Sequence, residues 1–220
     1  MTEATVSKQT LMRLPVYLTY LKSLPRDGPP HVSSTTIAED LGQSAIQVRK
    51  DLAAVCSGGK PKIGYVREEL IDAIERFLGY HNVDSAILVG AGKLGKALLS
   101  YQGFAQYGLN IVAAFDTDER LIGQEVDGKP VFPLAKLPHL CDRLQAHIGI
   151  ITVPAGQAQA VCDRLVSSGI RAIWNFAPVH LTVPPGILVQ NENMAASLAV
   201  LSKHLANTIN QNGTHTDFCE

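Results

Sequence analysis

The sequence lacks the features that define several large classes of protein. Its four cysteines are far apart and form no C-x-x-C pair, so neither a zinc knuckle nor a redox dithiol is indicated, and we predict no metal site. No apolar run approaches the roughly 20 residues that cross a bilayer. The first ten residues, MTEATVSKQT, have neither the charged region nor the apolar region of a signal peptide. We therefore expect a cytoplasmic protein without a membrane partner, whose thiols are reduced and mostly structural.

Net charge is also nearly absent, but it is unevenly distributed. The formal net charge is −1, and a composition of 46% hydrophobic and 18% charged residues is typical of a globular protein. Residues 41–67 contain five basic residues and one acid: Arg49, Lys50, Lys60, Lys62 and Arg67 against Asp51. Such a basic window in an otherwise acidic chain is expected where a small surface meets phosphate.

The first 80 residues have the periodicity of helices. The stretch LMRLPVYLTYLKSL predicts an amphipathic helix, because its leucines recur at three- and four-residue steps: Leu11, Leu14, Leu18 and Leu21. We expect Pro15 in the first turn of this helix, or else a later start. A second amphipathic stretch, REELIDAIERFLG (67–79), ends at a glycine. These stretches predict a helical N-terminal domain.

Between them lies a pair of helices followed by a basic loop. Residues 34–55 predict two helices separated by LGQS. Ser34 or Thr35 is expected to cap the first helix and Ser44 the second. The loop SGGKPKIGY (57–65) is rich in glycine and lysine and is flanked by residues compatible with a hairpin.

From residue 85 the pattern changes to buried strands. The apolar runs AILVG, NIVAAFD, IGIITVP, AIWNFAP and GILVQ alternate with helical stretches, which predicts a parallel sheet buried on both faces. The boundary is placed at YHNVD (80–84). The last stretch, NMAASLAVLSKHLANTI, is a helix with apolar residues on more than one side, so it needs a partner surface. The remaining residues are expected to form a loose tail.

Three glycines after the first of these strands have the spacing of a dinucleotide-binding loop. Gly90 is expected to make a tight turn, Gly92 to let the backbone approach a pyrophosphate, and Gly95 to let helix and strand pack closely. Asp116 follows about 20 residues later and suits the ribose hydroxyls of the cofactor. Its charge would repel a 2′-phosphate, which favours NAD(H) over NADP(H), although Arg120 nearby leaves this open. The alternative is a glycine turn without a ligand.

Two later strand ends are expected at the same edge of the sheet. The first is Thr152-Val153-Pro154, and the second is NFAP (175–178), in which Asn175 offers amide donors and acceptors and Phe176 an apolar face. For Phe176, simple packing at a strand end is an equally good interpretation.

The groups that an oxidoreductase needs are missing from the sequence. Hydride transfer requires a proton donor or acceptor near the substrate, and a place for the substrate. Only one helix and a tail follow the sheet, so no substrate domain is left, and no histidine has a carboxylate at a telling spacing: His139, His147, His180 and His204. We therefore predict that the protein is not an enzyme and that it binds its cofactor without consuming it.

The sequence resembles the Rex family, the redox-sensing transcriptional repressors of bacteria. The resemblance covers about residues 10–207 and is most specific in AIQVRKDLA, VGAGKLGKAL, AAFDTD and GIRAIWNFAP, which occur in the family's order. It implies an α/β fold: an N-terminal winged-helix (helix-turn-helix) domain, a C-terminal Rossmann domain with a doubly wound parallel sheet, and a domain-swapped C-terminal helix. It further implies a homodimer that binds an inverted repeat in double-stranded operator DNA. NADH would release the DNA, whereas NAD⁺ would favour or permit binding.

The residues agree with this resemblance in the N-terminal domain. The second helix of the pair places Gln47, Arg49 and Lys50 near its N-terminal half, where a recognition helix meets base edges. Glutamine pairs with adenine, and arginine or lysine with guanine. Lys60 and Lys62 on the loop would reach phosphate or a minor groove. For the helical stretch QVRKD, the alternative is a solvated, charged helix face.

The sequence also departs from the family pattern. Many Rex proteins pair an arginine of the first helix with an aspartate at the start of the partner's swapped helix, beside a phenylalanine near the nicotinamide. The positions that match here are Thr19, Asn193 and Met194, whereas a tyrosine near this network is present as Tyr101. The coupling of cofactor to DNA therefore stays open, and Asn193 is expected at least to cap the last helix.

Together these arguments predict the following organisation. Residues 1–80 form the winged-helix DNA-binding domain, 81–192 the Rossmann domain, 193–210 the swapped dimerisation helix and 211–220 a flexible tail. The predicted NADH and NAD⁺ contacts are Gly90, Ala91, Gly92, Lys93, Leu94, Gly95, Tyr101, Asp116, Thr152, Val153, Pro154, Asn175, Phe176, Ala177 and Met194. The predicted DNA contacts are Ser44, Ala45, Gln47, Arg49, Lys50, Lys60 and Lys62.

Two other functions are compatible with the sequence. One is a small nicotinamide-dependent oxidoreductase or a nucleotide-binding subunit like the CoA-binding domains of acyl-CoA ligases, which VDGKPVFPLAKL resembles. The other is a DNA-binding protein whose Rossmann domain has lost its ligand, against which the intact glycines and Asp116 argue.

Overall fold

The structure divides into two compact units. The computed structural model describes residues 6–82 and 84–213, with the side chains of Met194 and of residues 210–213 left out of the description. One unit comprises Met1–Val83 with Gln106–Gly108, and the other comprises Asp84–Ala105 with Leu109–Glu220. The predicted α/β fold, a helical N-terminal domain followed by a doubly wound parallel sheet, is confirmed.

The N-terminal unit is a four-helix domain with a very short sheet. Its elements in chain order are α1 (Lys8–Ser23), β1 (His31–Val32), α2 (Ser34–Asp40), α3 (Ala45–Val55), β2 (Tyr65–Val66) and α4 (Arg67–Leu78). β1 and β2 pair antiparallel. All four helices contribute to one core, in which the side chains of Leu14, Ile37, Leu52 and Ile74 are fully buried. The residues between α3 and β2 close a tight turn through two hydrogen bonds between Lys60 and Gly64, each 2.9 Å long. This is the small wing of a winged helix.

The capping of α2 and α3 differs from the sequence predictions, because neighbouring hydroxyl side chains compete for the cap position. Ser33, not Ser34 or Thr35, caps α2, because its hydroxyl accepts from the Thr36 amide at 3.0 Å. Ser44 occupies the cap position of α3, as predicted, but its side chain makes no capping hydrogen bond.

Pro15 neither starts α1 nor delays it. The helix begins at Lys8, with Ser7 capping the Thr10 amide at 3.1 Å, and Pro15 lies in its interior. A proline there removes one backbone donor. The helix continues because its other face is buried, with Tyr17 and other large side chains in the core. Leu11, expected on that face, is 43% exposed, and Thr10 is buried instead.

The second unit is built on a seven-stranded sheet. Its strands are β3 (Asp84–Val89), β4 (Leu109–Asp116), β5 (Glu125–Val126), β6 (Lys129–Pro133), β7 (Ala146–Ile151), β8 (Ala172–Asn175) and β9 (Leu188–Asn191). Their order is β5-β6-β4-β3-β7-β8-β9, and every neighbouring pair is parallel except β5 with β6. Counted from β3, the parallel strands follow the Rossmann order 3-2-1-4-5-6, which reverses between β3 and β7.

Helices cover the two faces of this sheet unequally. They are α5 (Lys93–Ser100), α6 (Leu137–Arg143) and α7 (Ala155–Ser167). Ile87 and Phe115 belong to the core cluster that includes buried residues of α6 and α7. Leu88 and Ile150 belong to a second cluster, which contains Leu99 of α5 and is bordered by aromatic side chains. Strands buried on both faces account for the continuous apolar runs in the sequence.

The last helix, α8 (Met194–Gly213), is solvent-exposed wherever its side chains are described. Five of its large apolar side chains are 57–65% exposed: Leu198, Val200, Leu201, Leu205 and Ile209. The helix continues past residue 210 into the predicted tail, and residues 214–220 lie outside the described residues. In the described part of the chain, no helix is both long and apolar enough to cross a membrane.

Candidate functional site

The glycine-rich loop joins β3 to α5 at the carboxyl edge of the sheet. Gly90 has a φ of +105°, and a Cβ there would lie 2.9 Å from the Thr152 carbonyl carbon. At Gly95 a Cβ would collide with the Gly90 carbonyl oxygen. At Gly92, by contrast, a Cβ would meet nothing within 4 Å. Two glycines are thus required by the protein's own packing, whereas Gly92 leaves space that the protein does not fill.

Asp116, at the end of β4, is tied to this loop. One carboxylate oxygen accepts from the Ala91 amide at 2.6 Å. The other accepts from the amides of Thr117 and Asp118 at 2.7 and 2.9 Å. A carboxylate has about four lone-pair sites, so one remains for a ribose hydroxyl. Asp116 therefore holds the loop in place, a role that the sequence motif does not reveal.

Five other predicted cofactor residues join Asp116 around one cleft of about 230 Å³: Gly90, Gly92, Thr152, Val153 and Pro154. The cleft lies where β3, β4 and β7 end, the place where doubly wound sheets bind ligands. The Thr152 hydroxyl donates to the carbonyls of Gly90 and Val89 and so joins β7 to the loop. A nucleotide fits the chemistry of this cleft, because Gly92, which immediately precedes α5, lines it together with the ribose acceptor Asp116.

Arg120, which the sequence left as a possible partner for a 2′-phosphate, is engaged elsewhere. Its guanidinium donates to both carboxylate oxygens of Asp118, at 3.0 and 2.8 Å. These hydrogen bonds lower the pKa of Asp118 to about 2. Among the described residues, no group of three histidine, cysteine or acidic side chains has the arrangement of a metal site.

In the N-terminal unit, α3 presents a basic face. Arg49 and Lys50 are exposed, whereas Val48 and Leu52 on the opposite side are fully buried. Arg49 lines a concave surface of about 500 Å³ together with Lys60 and Lys62 of the wing. Hydroxyls at the start of α2 line it as well. Three of the five basic residues in the window are thus brought to one surface.

The remaining predicted DNA residues differ in their exposure. Ser44 is exposed at the start of α3, but Ala45 packs partly against the core. Gln47 is half-buried, and its Nε2 donates to a carboxylate oxygen of Asp51 at 2.9 Å.

Asp51 itself is a residue whose role the sequence analysis missed. It is 2% exposed and accepts from Arg13 twice, at 2.7 and 2.9 Å. Tyr17 and Thr10 donate to it at 2.9 and 3.0 Å. Burial alone would raise the pKa of Asp51, but these hydrogen bonds and that of Gln47 outweigh it and lower the pKa. Burial and the contact with Asp51 raise the pKa of Tyr17 to about 12. A signal was present in the sequence, since Asp51 stands between the core residues Val48 and Leu52.

Comparison with known proteins settles the family. The model "CoA binding domain" matches residues 81–179, and "Putative DNA-binding protein N-terminus" matches residues 5–53. The redox-sensing transcriptional repressor Rex of Treponema denticola is 44% identical over 192 residues, which cover 87% of this chain and 91% of that protein. The repressor of the same name from Bacteroides fragilis is 42% identical over 200 residues, covering 91% of each. The chain belongs to the Rex family.

Solved structures agree over nearly the whole chain. RSP, a Rex-family repressor crystallised with β-NAD⁺ and operator DNA, has a TM-score of 0.87 at 33% identity and covers 97% of this chain and 99% of its own. Its complex with β-NADH has a TM-score of 0.85, covering 96% and 99%.

Some residues predicted to contact the cofactor from the strand end NFAP lie outside the cleft. Asn175 is fully buried and its amide is used internally: Nδ2 donates to the Val179 carbonyl and to Asn191, both at 2.9 Å, and Oδ1 accepts from the Ala177 amide at 3.0 Å. The structure thus shows a strand anchor where the sequence predicted an amide offered to a ligand. Phe176 packs on Trp174, with ring centroids 4.9 Å apart, and Ala177 is buried.

Other predicted residues have different positions again. Tyr101 stands at the far end of α5 from Gly92, where it packs edge-on against Phe104 and lines a separate cavity of about 320 Å³. Lys93 and Leu94 begin α5 but are not among the residues that line the cleft. The side chain of Met194 lies outside the described residues.

Two of the three departures from the Rex pattern, Thr19 and Asn193, make local hydrogen bonds. The Thr19 hydroxyl donates to the Pro15 carbonyl at 2.9 Å, within α1. Asn193 accepts from the Ala196 amide at 2.9 Å, which confirms the expected cap of α8.

Proposed function

We propose that this chain is a transcriptional repressor that binds operator DNA through its N-terminal unit and releases it when NADH occupies the cleft of the Rossmann unit. The observation that carries this proposal is the cleft itself, in which open space at Gly92 adjoins the carboxylate of Asp116. The basic surface formed by α3 and the wing of the same chain would bind the operator DNA. The complexes of RSP with NAD⁺ and operator DNA and with NADH support both halves.

We assign the cofactor as NADH or NAD⁺, bound as an allosteric ligand. The pyrophosphate would lie against Gly92 and the start of α5, and the adenine ribose would donate to Asp116. A 2′-phosphate would be repelled by Asp116, and Arg120 is held by Asp118. Residues 1–80 would form the DNA-binding domain, 81–192 the cofactor domain and 193–210 the dimerisation helix, in a protein that acts in the cytoplasm.

The cleft supports a sensor rather than an oxidoreductase. The side chains described around it include no histidine, lysine or tyrosine, so none of the usual proton donors for a carbonyl substrate lines it. A second candidate, a CoA-binding enzyme subunit, is favoured only by the family model over residues 81–179. Stoichiometric NADH binding, competed by NAD⁺ but not by CoA and without turnover of any acceptor, would separate the two.

The central experiment is a gel-shift titration on a duplex selected from random sequence. We expect NADH to release the protein from that duplex, and NAD⁺ to leave it bound. If the affinity for the duplex were the same with NADH, with NAD⁺ and without either nucleotide, the Rossmann unit would not be a sensor. Weakening by CoA alone would favour the second candidate.

The α3 surface gives a separate prediction. Arg49→Ala and Lys50→Ala should weaken operator binding without altering NADH affinity, since each removes a positive charge or a base contact. A good bidentate base contact contributes roughly 1–3 kcal/mol, and loss of a phosphate contact also reduces the salt dependence. Operator titrations at several salt concentrations measure both effects.

Arg76→Ala is the matched control for this prediction. It removes an arginine of α4 that is not among the residues of the concave surface, and we expect unchanged operator affinity. If Arg49→Ala and Lys50→Ala bound the operator as the control does, α3 would not be the DNA-contacting helix.

We further propose a homodimer held together by α8. A helix with five apolar side chains that are 57–65% exposed is poorly stable alone in water. In a dimer, the stripe of Leu198, Leu201 and Leu205 on α8 would be buried against the second copy. The two-fold symmetry of such a dimer would match the two half-sites of an inverted repeat.

A charge in this stripe should therefore separate the protomers. We expect Leu201→Asp with Leu205→Asp to give a monomer in sedimentation velocity and to weaken binding to an inverted repeat. Lys203 is an exposed polar residue of the same helix, and we expect the control variant Lys203→Ala to remain a dimer. A dimer of unchanged stability in the double variant would place the interface elsewhere.

A further inference from the structure

The hydrogen bond between Gln47 and Asp51 determines which way the glutamine amide faces. Gln47 stands four residues before Asp51 on α3, and its Nε2 lies 2.9 Å from a carboxylate oxygen of Asp51. A carboxylate only accepts hydrogen bonds, so the amide nitrogen must face it. The carbonyl oxygen Oε1 is therefore turned away from Asp51. Among the described residues, no protein group donates to that oxygen.

The carboxylate of Asp51, which the Gln47 amide contacts, is itself held in place by hydrogen bonds. Five hydrogen bonds end on its carboxylate, four of them from α1 and one from Gln47. It is 2% exposed, and its partner Arg13 grips both oxygens in the planar geometry of a bidentate pair. The orientation of Gln47 is thus set by Asp51 of the same helix, and Asp51 is held in place by α1.

Resting on the proposed binding of operator DNA by α3, we propose that Asp51 is a positioning residue that presents the Gln47 amide to an adenine in the major groove. Oε1 accepts from the adenine N6 amino group, and the second N–H of Nε2 donates to N7. Guanine and thymine carry carbonyl oxygens on this edge, which would face Oε1 unfavourably. Cytosine offers an amino group but no adjacent N7 acceptor. Without Asp51 the amide is free to turn over and present its nitrogen first.

The ion pair of Arg13 and Asp51 can be removed while the hydroxyls of Thr10 and Tyr17 keep another hydrogen-bond partner. Thr10 also lies 2.9 Å from the Ser7 hydroxyl, and Tyr17 lies 3.0 Å from Oε1 of Gln43. In the double variant Arg13→Met with Asp51→Leu, both charges are therefore removed together and these hydroxyls keep a partner. Only Gln47 loses its single partner. The variant tests orientation without an unpaired buried charge.

The experiment selects binding sites from a random duplex library and then measures affinity for single-base variants of the selected site. The proteins are the wild-type chain, Gln47→Ala, the double variant, and Arg13→Met with Asp51→Asn, which restores an acceptor beside Gln47. For the wild-type chain we expect adenine at one position of each half-site, preferred by about tenfold or more. Gln47→Ala and the double variant should lose that preference at that position alone, with the same salt dependence as wild type. The variant with Asp51→Asn should regain it.

A purely structural role for Asp51 gives different results. Uniform weakening for all sequences, or a lower melting temperature with the adenine preference intact in the folded double variant, would overturn the proposal. Loss of the preference in Gln47→Ala but not in the double variant would also reject Asp51 as its positioning residue. If the wild-type chain selected no sequence at all, operator binding itself would be rejected, and this inference with it.

Discussion

Gly92→Val is expected to abolish NADH binding while the chain stays folded. A Cβ at Gly92 meets no protein atom within 4 Å, and the backbone there is extended with a φ of −70°, so we expect the free protein to accept a side chain at this position. The same branched side chain would occupy the space that a pyrophosphate needs against the start of α5. The variant should remain on its operator at any NADH concentration. Calorimetric titration with NADH and a gel shift at saturating NADH measure the two effects.

Gly95→Val provides the structural contrast to this variant. A side chain at Gly95 would collide with the Gly90 carbonyl and separate helix from strand. This variant should therefore lower the melting temperature of the Rossmann unit, whereas Gly92→Val should not. If Gly92→Val still bound NADH, or still released DNA in response to it, the loop would not be the cofactor site.

Asp51→Ala is expected to destabilise the N-terminal unit by about 3 kcal/mol, the lower end of what removing one partner of a buried pair costs. Arg13 would keep its charge without a partner, although its side chain is 25% exposed and reaches water in part. Chemical unfolding followed by circular dichroism measures the loss. Trp174, the single tryptophan, lies in the other unit, so its fluorescence should report an unchanged transition there.

The pH dependence of this stabilisation has a definite sign. The pKa of Asp51 is lowered in the folded chain. The pair therefore contributes fully above the ordinary aspartate pKa of about 4, and its contribution is lost as the pH falls through the folded-state value. In Asp51→Ala this acid-dependent part should be missing. Glu39→Ala, which removes an exposed carboxylate of α2 in the same unit, should leave the unfolding curve at neutral pH unchanged. Equal curves for Asp51→Ala and wild type would mean that the pair does not stabilise the unit.

The cofactor loop could be predicted from sequence because its requirements are local. Gly90, Gly92 and Gly95 are fixed in spacing by one strand, one turn and one helix, which follow one another within a few residues. Asp116 follows from the length of one helix and one strand. What remained hidden is that Asp116 also accepts from the loop's own amide, since that contact joins residues 25 apart in the chain.

Helix ends were harder, because several neighbouring residues compete for the same role. Ser33, Ser34 and Thr35 are all capable caps, and the burial of Ile37 and Ala38 selects the register. Pro15 was placed near a helix start by its own preference, but burial of the opposite face keeps α1 continuous through it. Local propensity is a weak term beside tertiary packing.

Side-chain roles within a fold depended on distant partners. Asn175 looked available for a ligand, but Asn191 of the neighbouring strand and the carbonyl of Val179 use its amide. Asp51 looked like one acid in a basic window until Arg13, 38 residues away in the chain, was placed against it.

The sequence by itself determined the periodicities, the glycine spacing and the basic window, and with them a helical domain, a Rossmann sheet and the chemistry of a dinucleotide loop. These are set by short-range geometry and by the apolar pattern, which the chain carries along its length. Only the tertiary structure decided which polar groups are buried against one another, which are left for a ligand, and that α8 finds no surface among the described residues of its own chain. Hydrogen bonds between buried groups join residues far apart in sequence, so their partners are settled only when the core is packed.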